Sequence, residues 1–224
     1  MIKLNLQLFG NGKSGPSLGG GSGKKVNIIS QTDVWTYRHR EQNEPFVDSI
    51  NGSVRTIQED FPGIMDDVQQ VNSAVLGGKD RTDTLGFYNN GTGQLALNAN
   101  YTNVQKMNSV YDESVKSGYH PSRGGKNGTE AVTFHEMGHA LTAYYGKKDG
   151  GSGDIDAAAK KIVDRAYRKS NGTGGTLAWA KKISGYAAES NAECVAEAVC
   201  DWYCNGNNAS KASKAIMAEL RRYK

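Results

Sequence analysis

Thr133-Phe134-His135-Glu136-Met137-Gly138-His139-Ala140 is the stretch on which the reading of the whole chain turns. It contains H-E-x-x-H, which on a helix sets two imidazoles on one face, one turn apart. In that geometry His135 and His139 can grip one zinc ion while Glu136 faces a water on the metal. The surroundings read as helix. Phe134, Met137, Leu141 and Tyr144 recur at helical steps and form a buried stripe beside the histidine face. Thr129 is read as the cap of this helix and Gly146 as its stop.

A catalytic zinc takes three protein ligands and keeps one position open, so a third ligand is required. The pattern H-E-x-x-H-x-x-G-x-x-H is excluded, because Thr142 and Tyr145 stand where its glycine and last histidine belong. The other common source is a glutamate on a later helix. The segment Ile183–Ala198 offers Glu189, Glu193 and Glu197, four residues apart and able to share a helical face.

With these residues in view, the chain resembles the gluzincin metallopeptidases, most closely the lethal-factor-like group. The shared features are the H-E-x-x-H helix, Tyr186 seven residues before Glu193, and the run Ala196-Glu197-Ala198. The likeness covers roughly residues 84–204 at the level of motifs. It implies a zincin-like fold and a zinc metalloendopeptidase activity on a protein or peptide substrate. It also implies roles: His135, His139 and Glu193 as metal ligands, Glu136 as general base, and Tyr186 with its hydroxyl aimed at the reacting carbonyl. Glu197 would stand behind one of the histidines and hold it in place. By the same resemblance, an edge strand above the active-site helix would pair with extended substrate.

Composition bounds the remaining possibilities. The 224 residues fit one domain with an appendage. A net charge of +4 spread along the chain gives no basic footprint for nucleic acid. Cys194, Cys200 and Cys204 crowd into one segment, which does not read as a secreted disulfide framework and suggests a reducing compartment. No run is long and apolar enough to cross a membrane, and Asn5 and Gln7 interrupt what would be a signal peptide's apolar region.

The domain division is a leader and Gly/Ser-rich linker over residues 1–25 and a metallopeptidase domain over 26–224. The leader alternates Ile2, Leu4, Leu6 and Leu8 with polar residues, a strand period. Leu4-Asn5-Leu6-Gln7-Leu8-Phe9-Gly10 resembles the opening of tailed-bacteriophage structural proteins. That likeness implies a phage or prophage origin, a virion or host-cytoplasm location, and other virion proteins as partners. The rival readings it leaves are a virion assembly protein on a zincin scaffold without turnover and a toxin-like effector protease.

Further along, Phe61, Ile64, Val68, Val71 and Val75 step at helical intervals behind Asp60 and predict a helix. Thr84–Tyr88 and Gln94–Asn98 flank Asn90-Gly91 and predict a β-hairpin. Helices are expected over 101–117, 154–170, 177–183 and 191–203, with an exposed basic helix over 210–224. His120 is expected in a solvated loop, His39 on the surface, and Cys200 and Cys204 as small core residues too far from Glu193 for the same metal. The fold expected is α+β, a small sheet with a hairpin edge on the active-site helix and a helical C-terminal half.

Overall fold

A computed structural model describes residues 5–9, 25–27, 33–36, 44–74, 84–151 and 153–224. His39, most of the 1–25 leader and linker, and the end of the 61–75 stripe lie outside the described residues. In chain order the elements are β1 (Asn5–Phe9), β2 (Lys25–Asn27), β3 (Asp33–Thr36), α1 (Glu44–Asp60), β4 (Gln70–Ala74), β5 (Thr84–Asn89) and β6 (Gln94–Asn98). Helices follow: α2 (Val104–Lys116), α3 (Gly128–Lys148), α4 (Ile155–Lys169), α5 (Gly175–Ala180), α6 (Asn191–Asn205) and α7 (Lys211–Leu220). The class is mixed α+β, with a predominantly helical C-terminal half.

The hairpin forms where its turn chemistry places it. β5 and β6 run antiparallel, with Gly86 opposite Leu97 and Asn89 opposite Gln94. The Asn89 side-chain oxygen accepts from the backbone N–H of Gly91 at 2.9 Å and of Thr92 at 3.2 Å, fixing the turn. The hairpin is not the edge of the sheet, contrary to expectation. The strand order is β1-β5-β6-β4-β3-β2, so β1 pairs parallel with β5 and β4 parallel with β6. The alternating leader supplies the strand that covers β5, and the edge of the sheet on that side is β1.

Over its described part, residues 61–74, the predicted 61–75 helix does not form. Pro62–Asp66 is a short 3-10 helix of five residues, and Val71 belongs to strand β4. The apolar spacing there has another cause. Phe61, Ile64, Val68 and Val71 all enter the core, but Pro62 and Gly63 halt the helix that ends at Asp60. That helix, α1, was not anticipated. It buries Phe46, Val47, Ile50, Val54 and Ile57 and packs on α3.

Helix α3 is the centre of the molecule. It starts at a capping box, with Asn127 Oδ1 accepting from the Glu130 N–H at 2.9 Å and Glu130 Oε2 accepting from the Asn127 N–H at 2.8 Å. Asn127 rather than Thr129 is therefore the cap, and the helix runs past Gly146 to Lys148. The hairpin covers one side, and α1, α2, α4 and α6 take the others. Because partners surround it, α3 is buried on every face instead of along one stripe. The terminal helix also differs from expectation. α7 buries Ala212, Ile216, Met217 and Leu220 against α4 and α6, leaving only its opposite face to solvent.

Candidate metal centre

Two helices build the site. α3 carries His135 and His139 one turn apart, both fully buried, with ring centroids 5.0 Å apart. α6 carries Glu193 in its first turn, and Ser190 caps that turn by accepting the Glu193 N–H at 3.0 Å. The helices approach closely because both are small at the crossing. A Cβ on Gly138 would lie 2.7 Å from the Ala196 Cα, so only glycine fits there. This crossing brings Glu193 Oε2 to 3.1 Å from His135 Nε2 and 3.5 Å from His139 Nε2.

Those separations suit a metal. Ligand arms of about 2.0–2.1 Å at tetrahedral angles place donor atoms about 3.3 Å apart. One ligand atom from each of His135, His139 and Glu193 falls within a mutual 4.8 Å, and among the described residues this is the group that could hold an ion. None of His135 Nε2, His139 Nε2 and Glu193 Oε2 has a well-formed hydrogen bond, although all three are buried. Buried polar atoms without partners are costly, and three converging on one point fit a bound cation that satisfies them together.

The protonation behaviour suits the same role. Burial works against the Glu193 carboxylate, but the His139 and His135 imidazoles beside it outweigh burial and hold it at about 2. Burial lowers the His139 pKa, favouring the neutral ring that a metal requires. Burial also lowers His135, yet Glu193 and Glu197 override it and lift the ring to about 10. Without a cation, then, a proton on His135 balances the two carboxylates. With one, the cation takes that place.

Around the triad, Glu136 is fully buried with neither carboxylate oxygen hydrogen-bonded. Burial pushes it up to about 8, with Glu193 and Glu197 adding to the rise and His135 opposing it. Strand β5 passes directly over this carboxylate, and a Cβ on Gly86 would lie 2.9 Å from Glu136 Oε1. The Tyr186 ring stacks on His135, centroids 5.7 Å apart and 18° from parallel. Burial and the nearby Glu193, Glu136 and Glu197 hold its phenol protonated, well above the ordinary range. Glu197 Oε1 lies 2.8 Å from His135 Nδ1, on the side of the ring away from Glu193. Glu189 stands apart from the triad, exposed, accepting from the Tyr119 hydroxyl at 3.0 Å.

Two participants were missed in the sequence. His120 is only 2% exposed, not solvated, with Nδ1 3.0 Å from Glu197 Oε1. Ser184 donates to Glu197 Oε2 at 2.7 Å. The one sequence signal for His120 is its place between Tyr119 and Pro121, an aromatic and apolar setting unlike a hydrated loop. Cys200 is a buried core residue as expected, whereas Cys204 is half-buried, its sulfur 4.0 Å from that of Cys200. No protein family, curated protein or solved structure matches this chain.

Proposed function

We propose that the protein is a zinc-dependent peptidase of the gluzincin type. The observation that carries this reading is the pairing of the His135–His139–Glu193 donor set with a buried, unpartnered Glu136 beside it. A purely structural ion needs no such carboxylate next to its ligands. The donor set of two imidazoles and one carboxylate also leaves a fourth tetrahedral position for water or substrate, as zinc hydrolases require.

A divalent ion held there supplies Lewis acidity toward a carbonyl and toward water. The chain's own groups do the rest. Glu136 accepts a proton from the attacking water and delivers it to the leaving amine. A carboxyl lifted to about 8 in the metal-free site falls when a cation sits nearby, which leaves Glu136 ionised and able to act as base. Tyr186, kept protonated, donates its hydroxyl hydrogen to the oxyanion that develops on the substrate. Glu197 accepts from His135 Nδ1–H and so presents the Nε2 lone pair to the ion. The leader's likeness to tailed-phage structural proteins favours a phage or prophage origin and work in or near a virion.

The test is a peptide-library digest by the zinc-loaded protein beside its Glu136→Gln variant. Cleavage by the parent and almost none by the variant, at equal zinc content, is the expected result. A parent that holds zinc and cleaves nothing would favour an assembly protein without turnover.

A further inference from the structure

His120 comes from the loop between α2 and α3, outside both helices that carry the metal-ligand candidates, yet it reaches the same carboxylate as His135. Glu197 Oε1 is 3.0 Å from His120 Nδ1 and 2.8 Å from His135 Nδ1, and Oε2 accepts from Ser184 at 2.7 Å. All four side chains are buried. An ionised carboxylate offers only lone pairs, so each imidazole must bring its proton on Nδ1. For His135 this leaves Nε2 directed at the triad. For His120 it leaves Nε2 buried and without a hydrogen bond. A histidine kept in that condition is held for what its other nitrogen does.

The placement of His120 is over-determined. Its ring stacks on Tyr111 with centroids 5.5 Å apart and meets Tyr119 and Tyr186 edge-on at 5.1 and 5.3 Å. The loop itself is tied to the segment that carries Ser184 and Tyr186. Gly185 N–H donates to Gly118 O at 2.8 Å, and Tyr186 N–H donates to Tyr119 O at 2.9 Å. Tyr111 in turn donates to Pro121 O at 3.3 Å, beyond the histidine. One fixed loop thus supports Glu197 and the Tyr186 backbone together.

We infer that His120 is a positioning residue of the metal centre, fixing through Glu197 the ring plane and the Nδ1–H form of His135. With Ser184 and His135 alone, the Glu197 carboxylate is held at one point on each oxygen and can still rock about the line joining them. A third donor, arriving from a different element, fixes the carboxylate plane. Groups that orient a ligand from outside contribute about 10–100-fold to metal affinity. This inference rests on the metal reading of the triad and not on the peptidase reading.

Two variants of the full-length chain separate hydrogen bonding from packing. His120→Phe keeps a ring against Tyr111, Tyr119 and Tyr186 but cannot donate to Glu197. His120→Asn loses the ring but keeps a donor near the position of Nδ1. Chelator competition with zinc should show roughly 10–100-fold weaker binding for His120→Phe and substantial recovery for His120→Asn. The visible spectrum of the cobalt-substituted protein should change in the first variant and return toward the parent in the second. Parental zinc affinity and an unchanged cobalt spectrum in His120→Phe would overturn the inference. So would equal losses in both variants, which would make the ring's volume the cause.

A third measurement needs no variant to fold. In the metal-free parent, proton NMR should show the His120 Nδ1–H as a downfield, exchange-protected resonance, and its absence also overturns the inference. A parent that binds zinc but cleaves no peptide refutes the hydrolytic reading alone.

Discussion

Gly138 on α3 and Ala196 on α6 meet with no room for a further carbon: a Cβ on residue 138 would stand 2.7 Å from the Ala196 Cα. The atom in the way is backbone, so no rotamer change relieves the clash. Gly138→Ala must push α6 outward at the turn that carries Glu193. The expected outcome is a loss of about 1–3 kcal/mol in folding stability, the usual cost of overpacking a dense core, together with weaker zinc binding. Denaturant unfolding and chelator competition on the same preparation measure both. If stability falls while zinc affinity holds, the crossing does not set the Glu193–histidine distance.

The three glutamates of the α6 region should separate cleanly. Glu193 reaches both histidines, Glu197 reaches His135 from behind, and the Glu189 carboxylate accepts from Tyr119. Glu193→Gln should therefore weaken zinc retention most, because it replaces an anionic donor with a neutral one. Glu197→Gln should cost about 10–100-fold, and Glu189→Gln little. Chelator competition on the three variants gives the order. Loss of metal from Glu189→Gln with retention by Glu193→Gln would mean that the ion is held elsewhere.

Both helices of the site were legible in the sequence because their signals are local. H-E-x-x-H needs only helical geometry to be read, and the Asn-Gly turn needs only its own residues, whereas spacing leaves Glu189, Glu193 and Glu197 all open and the choice among them comes from the family resemblance. The misreadings share a different cause. Phe61 to Val71 has helical spacing, but Val71 belongs to a strand because β4 finds β6 beside it, a contact made far along the chain. The strand period of the leader is legible, but its pairing with β5 depends likewise on a partner far along the chain. His120 lies in a stretch of Gly, Ser and Asn that reads as hydrated, and only the fold reveals Glu197 next to it. Asn127 takes the cap from Thr129 because its partner Glu130 completes a reciprocal pair.

The role proposed for Tyr186 is one that kinetics can isolate. Its ring packs on His135, so a phenylalanine keeps the stacking and removes only the hydroxyl. If that hydroxyl meets charge that exists only in the transition state, Tyr186→Phe should retain zinc and substrate binding and lose on the order of a hundredfold or more in kcat. A raised KM at unchanged kcat would assign the hydroxyl to ground-state binding instead.

The response of stability to pH should depend on whether metal is present. Glu193 and Glu197 are both held at about 2 despite burial, Glu193 chiefly by His139 and His135, Glu197 by His120 and His135. Their contribution is present above the ordinary carboxyl value of 4.5 and is lost as pH falls through about 2. His135, lifted from 6.5 to about 10, acts in the opposite sense: its contribution is full below 6.5 and disappears as pH rises through about 10. Burial raises Glu136 from 4.5 to about 8, so its ionisation also weakens the metal-free fold across that interval. Burial keeps His139 below its ordinary 6.5, so that ring adds stability as pH rises to 6.5 and offsets Glu136 there. The metal-free protein should therefore be most stable between about pH 4.5 and 6.5 and decline on the alkaline side. A bound cation takes the His135 lone pair in place of the proton and balances Glu136, which removes both alkaline losses. Thermal midpoints of zinc-loaded and chelator-treated protein should consequently diverge by several degrees or more between about pH 6 and pH 9. Calorimetric titration in buffers of different ionisation enthalpy should show about two protons released per zinc bound near neutral pH, one from His135 and one from Glu136. A gap in midpoint that stays constant or narrows with rising pH would show that the ion does not displace the His135 proton, and the triad would then not be where it binds.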